Sequence, residues 1–211
     1  MEVKMKSVGK VIKNHVSNNK REYLIVLLIF IIGIFLGVLF VNNMQESPKN
    51  EINNYFNSFI EKIKNTDKIN SISLLQNSII QNVILAVIIW FFGTTVIGLP
   101  IVFGVVLYRG FCLGYTISIC VGIMGISKGI IFILISLLIQ NILFIPAILG
   151  LAVSGFKLYK SIVKDNRKEN IKLEILRHTV FSLVMLAILI VSSVLEIFIS
   201  TNILKCLIKY F

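Results

Sequence analysis

Long apolar runs, each near the length of one membrane crossing, alternate along this chain with short polar stretches. The first runs from Tyr23 to Val41 without a charge. A second uncharged stretch, from Gln76 to Tyr108, is much too long for one crossing, and Gly93, Gly98 and Pro100 mark where it breaks. The pattern predicts a second helix over 76–99, a third over 101–124 that carries Arg109, a turn at 125–128, a fourth helix over 129–152 and a fifth over 179–201. About twenty apolar residues at 1.5 Å each cross a hydrocarbon layer of about 30 Å. The expected fold class is therefore all-α, a polytopic integral membrane protein with about five transmembrane helices. Asn42, Asn43 and Met44 do not form a small-residue cleavage site, so the first run is expected to stay as an anchor.

Composition agrees with the pattern: 56% of residues are hydrophobic, only 15% are charged, and the mean hydropathy is +0.90. The net charge of +11 is informative through its placement. Lys4, Lys6, Lys10, Lys13, Lys20 and Arg21 precede the first run, and a second basic cluster lies between Phe156 and Arg177. Neither forms a basic stripe interleaved with exposed aromatics, so no nucleic-acid partner is expected. The stretch from Asn42 to Leu75 balances Lys49, Lys62, Lys64 and Lys68 against Glu46, Glu51, Glu61 and Asp67. Basic segments stay on the cytoplasmic side, which puts the N-terminus in and, after five crossings, the C-terminus out. The resulting organisation is a basic cytoplasmic segment (1–22), a first span (23–41), an outer loop (42–75), a three-span core (76–155), a basic inner loop (156–178), a last span (179–201) and an outer tail (202–211).

Outside the spans, Ile52, Tyr55, Phe56, Phe59, Ile60 and Ile63 recur at three- and four-residue spacing and line one face of an amphipathic helix. Such a face either lies among lipid headgroups or docks an extracytoplasmic partner. In the inner loop, Lys157, Lys160 and Lys164 alternate with Phe156, Tyr159, Ile162 and Val163, a composition that sits well on an anionic leaflet.

Polar groups inside the spans each require a reason, because a charge at the bilayer centre costs roughly 2.5–3.5 kcal/mol. Arg109 lies about eight residues into the third helix, roughly 12 Å from its inner end, and Glu196 lies near the outer end of the fifth. This depth difference argues against pairing them. Arg109 is expected to bind carbonyls freed at the break between Gly93 and Gly104, and Glu196 to face a partner or the aqueous boundary. Gln140 and Asn141 sit mid-helix with Pro146 shortly after, a kinked polar patch that serves either helix-to-helix hydrogen bonding or a substrate path. Asn77, Gln81 and Asn82 are its candidate partners. Gly33 with Gly37, and Gly110 with Gly114, have the four-residue spacing that lets helices approach closely, and are read as packing sites.

Catalytic groups are not apparent. The two histidines, His15 and His178, fall near loops, no serine or cysteine has a histidine at matching depth, and no phosphate-binding glycine loop is present. No enzyme activity, cofactor or metal is expected.

The stretch IIWFFGTTVIGLPIVFGVVLYRGFCLGYTISI, Ile88 to Ile119, resembles the stage II sporulation protein M family, as does LLIQNILFIPAILGLAVSG, Leu137 to Gly155. Arg109, Gly110, Phe111 and Gly114 look like the sporulation branch, where the broader family tends to have Asn-Gly, and His-Gly in place of Gln140 and Asn141. The resemblance implies a multi-pass scaffold in the septal or engulfing membrane of the mother cell, which holds stage II sporulation proteins P and D as they degrade septal peptidoglycan. It implies no hydrolase activity of its own. The competing reading is a membrane subunit of a transporter or permease, drawn from the broken helices and the polar patch. Self-association is left open by both.

Overall fold

The computed structural model describes residues 9, 12–65, 71–95, 97–136, 138–164 and 171–197. A short helical stretch over 12–18 precedes seven helices: α1 (Lys20–Asn42), α2 (Glu46–Asn65), α3 (Ser71–Gly93), α4 (Leu99–Met124), α5 (Ile126–Ser136), α6 (Leu138–Lys164) and α7 (Ile171–Leu195). No strand occurs among the described residues. Five helices are long and apolar enough to cross a membrane: Lys20–Asn42, Ile72–Gly93, Leu99–Met124, Asn141–Val163 and Ile171–Leu195.

Helix ends depart from the sequence reading wherever a charge was taken as a boundary. The fourth predicted helix is two helices. Gly125, with φ of 80°, ends α4 in a left-handed turn that only glycine adopts easily, and α5 then folds back with Gly129 close to the backbone of Cys120 and Val121. Eleven residues of α5 reach about 16 Å, too short to cross. The crossing is made by α6, which continues past Gly155 to Lys164, while α7 begins at Ile171 and not at Thr179. Most of the predicted inner loop is thus helix, because Leu158 is buried and Lys157 and Lys160 carry their charges at the ends of long apolar stems.

Between α3 and α4 the break falls where Gly93, Gly98 and Pro100 place it. Thr94 and Thr95 hydroxyls donate to the carbonyls of Phe91 and Phe92, closing the end of α3. Gly98 precedes α4, with Pro100 in the first turn. A side chain at Gly98 would run into the carbonyl of Phe92 and the hydroxyl of Thr95.

The core lies along α6, where Ala147, Ile148, Leu149, Leu151, Ala152 and Val153 are all buried. Val26 and Phe30 of α1, Leu85 and Ile89 of α3, Val102 and Val106 of α4, and Met185 and Leu189 of α7 surround it. Leu28, Ile31, Phe35, Ile84, Phe91 and Leu183 point outward, as expected where the solvent is hydrocarbon. Contacts also fix directions. Gly33 meets Leu107 and Gly37 meets Phe111, so α1 and α4 run parallel. Asn82 bonds Ser193 and Trp90 bonds Thr179, so α3 and α7 run antiparallel. The start of α1 and the end of α7 consequently lie on opposite faces of the bundle.

Candidate functional site

Three constructions organise the polar and small residues. The first is the seam between α1 and α4. A Cβ at Gly33 would strike the carbonyl of Leu107, and one at Gly37 the carbonyl of Phe111. Reciprocally, a Cβ at Gly110 would strike the carbonyl of Phe30, and one at Gly114 that of Ile34. Two glycine pairs therefore interlock backbone against backbone. One residue along a helix turns the side chain by about 100°, so with Gly110 against α1, Arg109 is aimed toward α6.

There it enters the second construction, a cavity of about 360 Å³ at membrane depth whose polar lining includes Asn77, Gln81, Asn82, Arg109, Asn141 and Glu196. The Arg109 guanidinium lies over the Phe144 ring at 5.3 Å, a cation–π contact that strengthens on removal from water. This differs from the expected contact with carbonyls of the Gly93 to Gly104 break, to none of which, among the described residues, it is hydrogen-bonded. Ser78 donates to Glu196 at 2.8 Å, and buried Asn82 donates to the Ser193 hydroxyl at 2.7 Å and the Leu189 carbonyl at 3.4 Å. Asn82 thus ties α3 to α7, where the sequence reading directed it toward the α6 patch. Arg109 and Glu196 share this cavity, although the depth argument set them apart, and they form no ion pair. The end of an apolar run is not the water boundary here. Glu196 in fact sits beside Ser78, about 10 Å below the first residue of α3.

Asn141 also borders an adjoining apolar cavity of about 400 Å³ lined by Leu113, Ile117, Ile145 and Pro146. Pro146 lies inside α6, as expected, and Gln140 belongs to the same helix, with its side chain outside the described residues.

The third construction was missed from sequence. His178 Nδ1 stands 2.8 Å from the Ser154 hydroxyl, and its Nε2 lies 3.4 Å from the Trp90 carbonyl. A carbonyl only accepts, so the proton belongs on Nε2, and Nδ1 accepts from Ser154. Trp90 Nε1 donates to Thr179 at 3.2 Å. Gly93 and Gly155 approach closely beside the imidazole: a Cβ at Gly93 would lie 3.1 Å from His178 Nε2 and 3.2 Å from the Gly155 Cα, and one at Gly155 would lie 3.0 Å from the Gly93 Cα. The sequence reading held that no serine shares a depth with a histidine; Ser154 and His178 do, because both flanking helices are longer than their uncharged runs. A signal was present: His178, Ser182, Met185, Leu189 and Ser192 follow alternating four- and three-residue steps along one buried stripe of α7, and Glu196, one residue past its end, continues the pattern.

The stretch before α1 closes over this hub. His15 stacks on Phe181 with centroids 4.0 Å apart and lies 3.2 Å from the Tyr23 hydroxyl, while Asn19 donates to the His15 carbonyl. Burial, and then the charge of Lys157, pushes the His15 imidazole down to about 4, so it is neutral near pH 7. Lys160 pairs with Glu22 and lies over Phe156. On the opposite face, α2 turns part of its apolar side inward: Phe56 meets Phe132 of α5 edge-on, and Ile52 lines a small cavity with Val41 and Ile123. Tyr55 is 78% exposed. Phe59, Ile60 and Ile63 are on α2, with side chains outside the described residues.

Five membrane-length helices, joined by glycine contacts and buried polar bonds, define a multi-pass membrane protein of all-α class. The family model described as Stage II sporulation protein M matches residues 26–201, and the chain belongs to that family. Neither the curated proteins nor the solved structures include a significant match to it.

Proposed function

We propose that the protein is a non-enzymatic scaffold that localises and holds peptidoglycan-degrading partners, of the stage II sporulation protein P and D type, at the septal membrane during engulfment. The observation that carries this reading is membership of the Stage II sporulation protein M family over residues 26–201. The use of the polar groups supports it: Asn82, Ser154, Trp90, His178 and Glu196 each bond a neighbouring helix. Bonds of this kind hold helices in register. The reading takes the start of α1 as cytoplasmic and α2 as outside, which the positions of the basic segments support.

Affinity purification from sporulating cells, followed by mass spectrometry, tests the scaffold. Peptidoglycan hydrolases are expected with the wild-type chain, and recovery should fall with Tyr55→Ser if the outward face of α2 is the docking surface. Phe56 is unsuitable for this test, since it packs on Phe132 within the chain. A second reading, a membrane subunit of a transporter, is favoured by the polar cavity around Arg109 and Glu196 at membrane depth. Recovery of an ATPase or a solute-binding protein in place of hydrolases would select it.

A further inference from the structure

Where the stretch before α1 folds against the ends of α6 and α7, a cavity of about 660 Å³ remains. We propose that it is a binding site for one anionic phospholipid, the phosphate-bearing headgroup among the polar residues and the start of an acyl chain along α7. The inference goes beyond the scaffold reading and does not depend on it.

Three features define the ligand. The cavity lies at the end of the bundle that carries Lys13, Lys20, Arg21, Lys157 and Lys160, beside the ends of the membrane-length helices α1, α6 and α7. Its lining is two-sided. Asn14, Asn18 and Lys157 supply amides and an ammonium, whereas Leu176, Val180 and Val184 make an apolar wall on α7. Leu176 and Val180 are 59% and 54% exposed, so that wall continues onto the lipid-facing surface of the bundle. A small water-soluble anion has no use for such a wall; a chain attached to the anion does.

The described lining carries a net positive charge. Arg177 donates to the Glu174 carboxylate at 2.7 Å, so these two lining residues largely offset each other. Among the described residues Lys157 has no carboxylate in ion-pair range. His15, also in the lining, is neutral for the reasons given above. Among the described residues, one ammonium without a carboxylate partner therefore lines a space large enough for a phosphoglycerol headgroup, and a phosphate there would accept hydrogen bonds from it and from the asparagine amides.

The full-length protein in a zwitterionic detergent, titrated with phosphatidylglycerol, phosphatidylcholine or inorganic phosphate while thermal unfolding is followed, tests the site. Saturable stabilisation by phosphatidylglycerol alone is expected. Lys157→Gln should weaken it about fivefold, the worth of one basic residue near an anionic surface. Lys172→Gln, which removes an exposed charge outside the cavity, should leave it unchanged. Val180→Trp fills the apolar wall without touching a charge and should abolish saturation, which keeps the test valid if the Lys157 variant folds poorly. Equal stabilisation by phosphatidylcholine would overturn the proposal. So would stabilisation by inorganic phosphate, which would mark a free-anion site, or equal losses at Lys157 and Lys172, which would mark diffuse attraction to the leaflet.

Discussion

The seam between α1 and α4 and the interface of α7 with α3 and α6 solve one problem by opposite means. Lipid tails are as apolar as leucine, so burial alone does not hold two membrane helices together. At the seam, four glycines remove side chains altogether, and backbones meet over a long, uniform contact. Around α7, side chains span the gap: Ser78 with Glu196, Asn82 with Ser193, Ser154 with His178, Trp90 with Thr179. A shape-based contact is lost as a whole when one position gains volume. A ladder of separate bonds loses one rung at a time.

The largest effect should therefore come from the seam. Gly114→Leu is expected to abolish folded, monodisperse protein, as read by size-exclusion chromatography, because its Cβ already overlaps the Ile34 carbonyl and helix backbone has no low-cost way to yield. A folded variant with unchanged melting temperature would mean that α1 is not held by this contact. His178→Ala should come next, destabilising by about 1–3 kcal/mol, since it leaves the buried Ser154 hydroxyl unsatisfied and opens space beside Gly93. Asn82→Ala should cost less, and a double-mutant cycle with Ser193→Ala should give a coupling of about 0.6–1.7 kcal/mol. If the cycle gave no coupling while His178→Ala still destabilised, the ladder would reduce to a single structural rung.

His15 gives a pH-dependent check on the same side of the bundle. Its folded-state proton affinity is depressed, to about 4 from 6.5, so the unfolded chain binds more protons between those values. Stability should be flat above about 6.5 and fall as the pH drops toward 4, and His15→Phe, which keeps the stack on Phe181, should flatten that slope. The smallest effect belongs to Lys160→Met, about 0–1 kcal/mol in thermal unfolding, because the Lys160 end of the pair with Glu22 is solvent-accessible.

Much of this architecture was legible in the sequence, but unevenly. Run length and charge placement were enough for the number of crossings, the break at Gly93 to Pro100 and the glycine pairs, since each depends on composition along a single helix. Helix ends were not legible, because Lys157, Lys172 and Arg177 are charged residues that a helix accommodates by extending their stems toward water. Contacts between helices depend on relative height, which spacing along one chain segment does not encode. Hence Arg109 and Glu196 were set apart although they border one cavity, and Ser154 and His178 were overlooked. The polar stripe on α7 was the one piece of that interface readable beforehand, as a periodicity.

The parallel pairing of α1 with α4 also has a consequence in time. Gly33 and Gly114 lie on opposite sides of one seam but far apart in the chain, and at translation rates of about 5–20 residues per second their synthesis is separated by about 4–16 s. Throughout that interval the glycine face of α1 lacks its partner from the same chain. The seam can therefore close only once α4 has been made, so α1 is the member of the pair that waits.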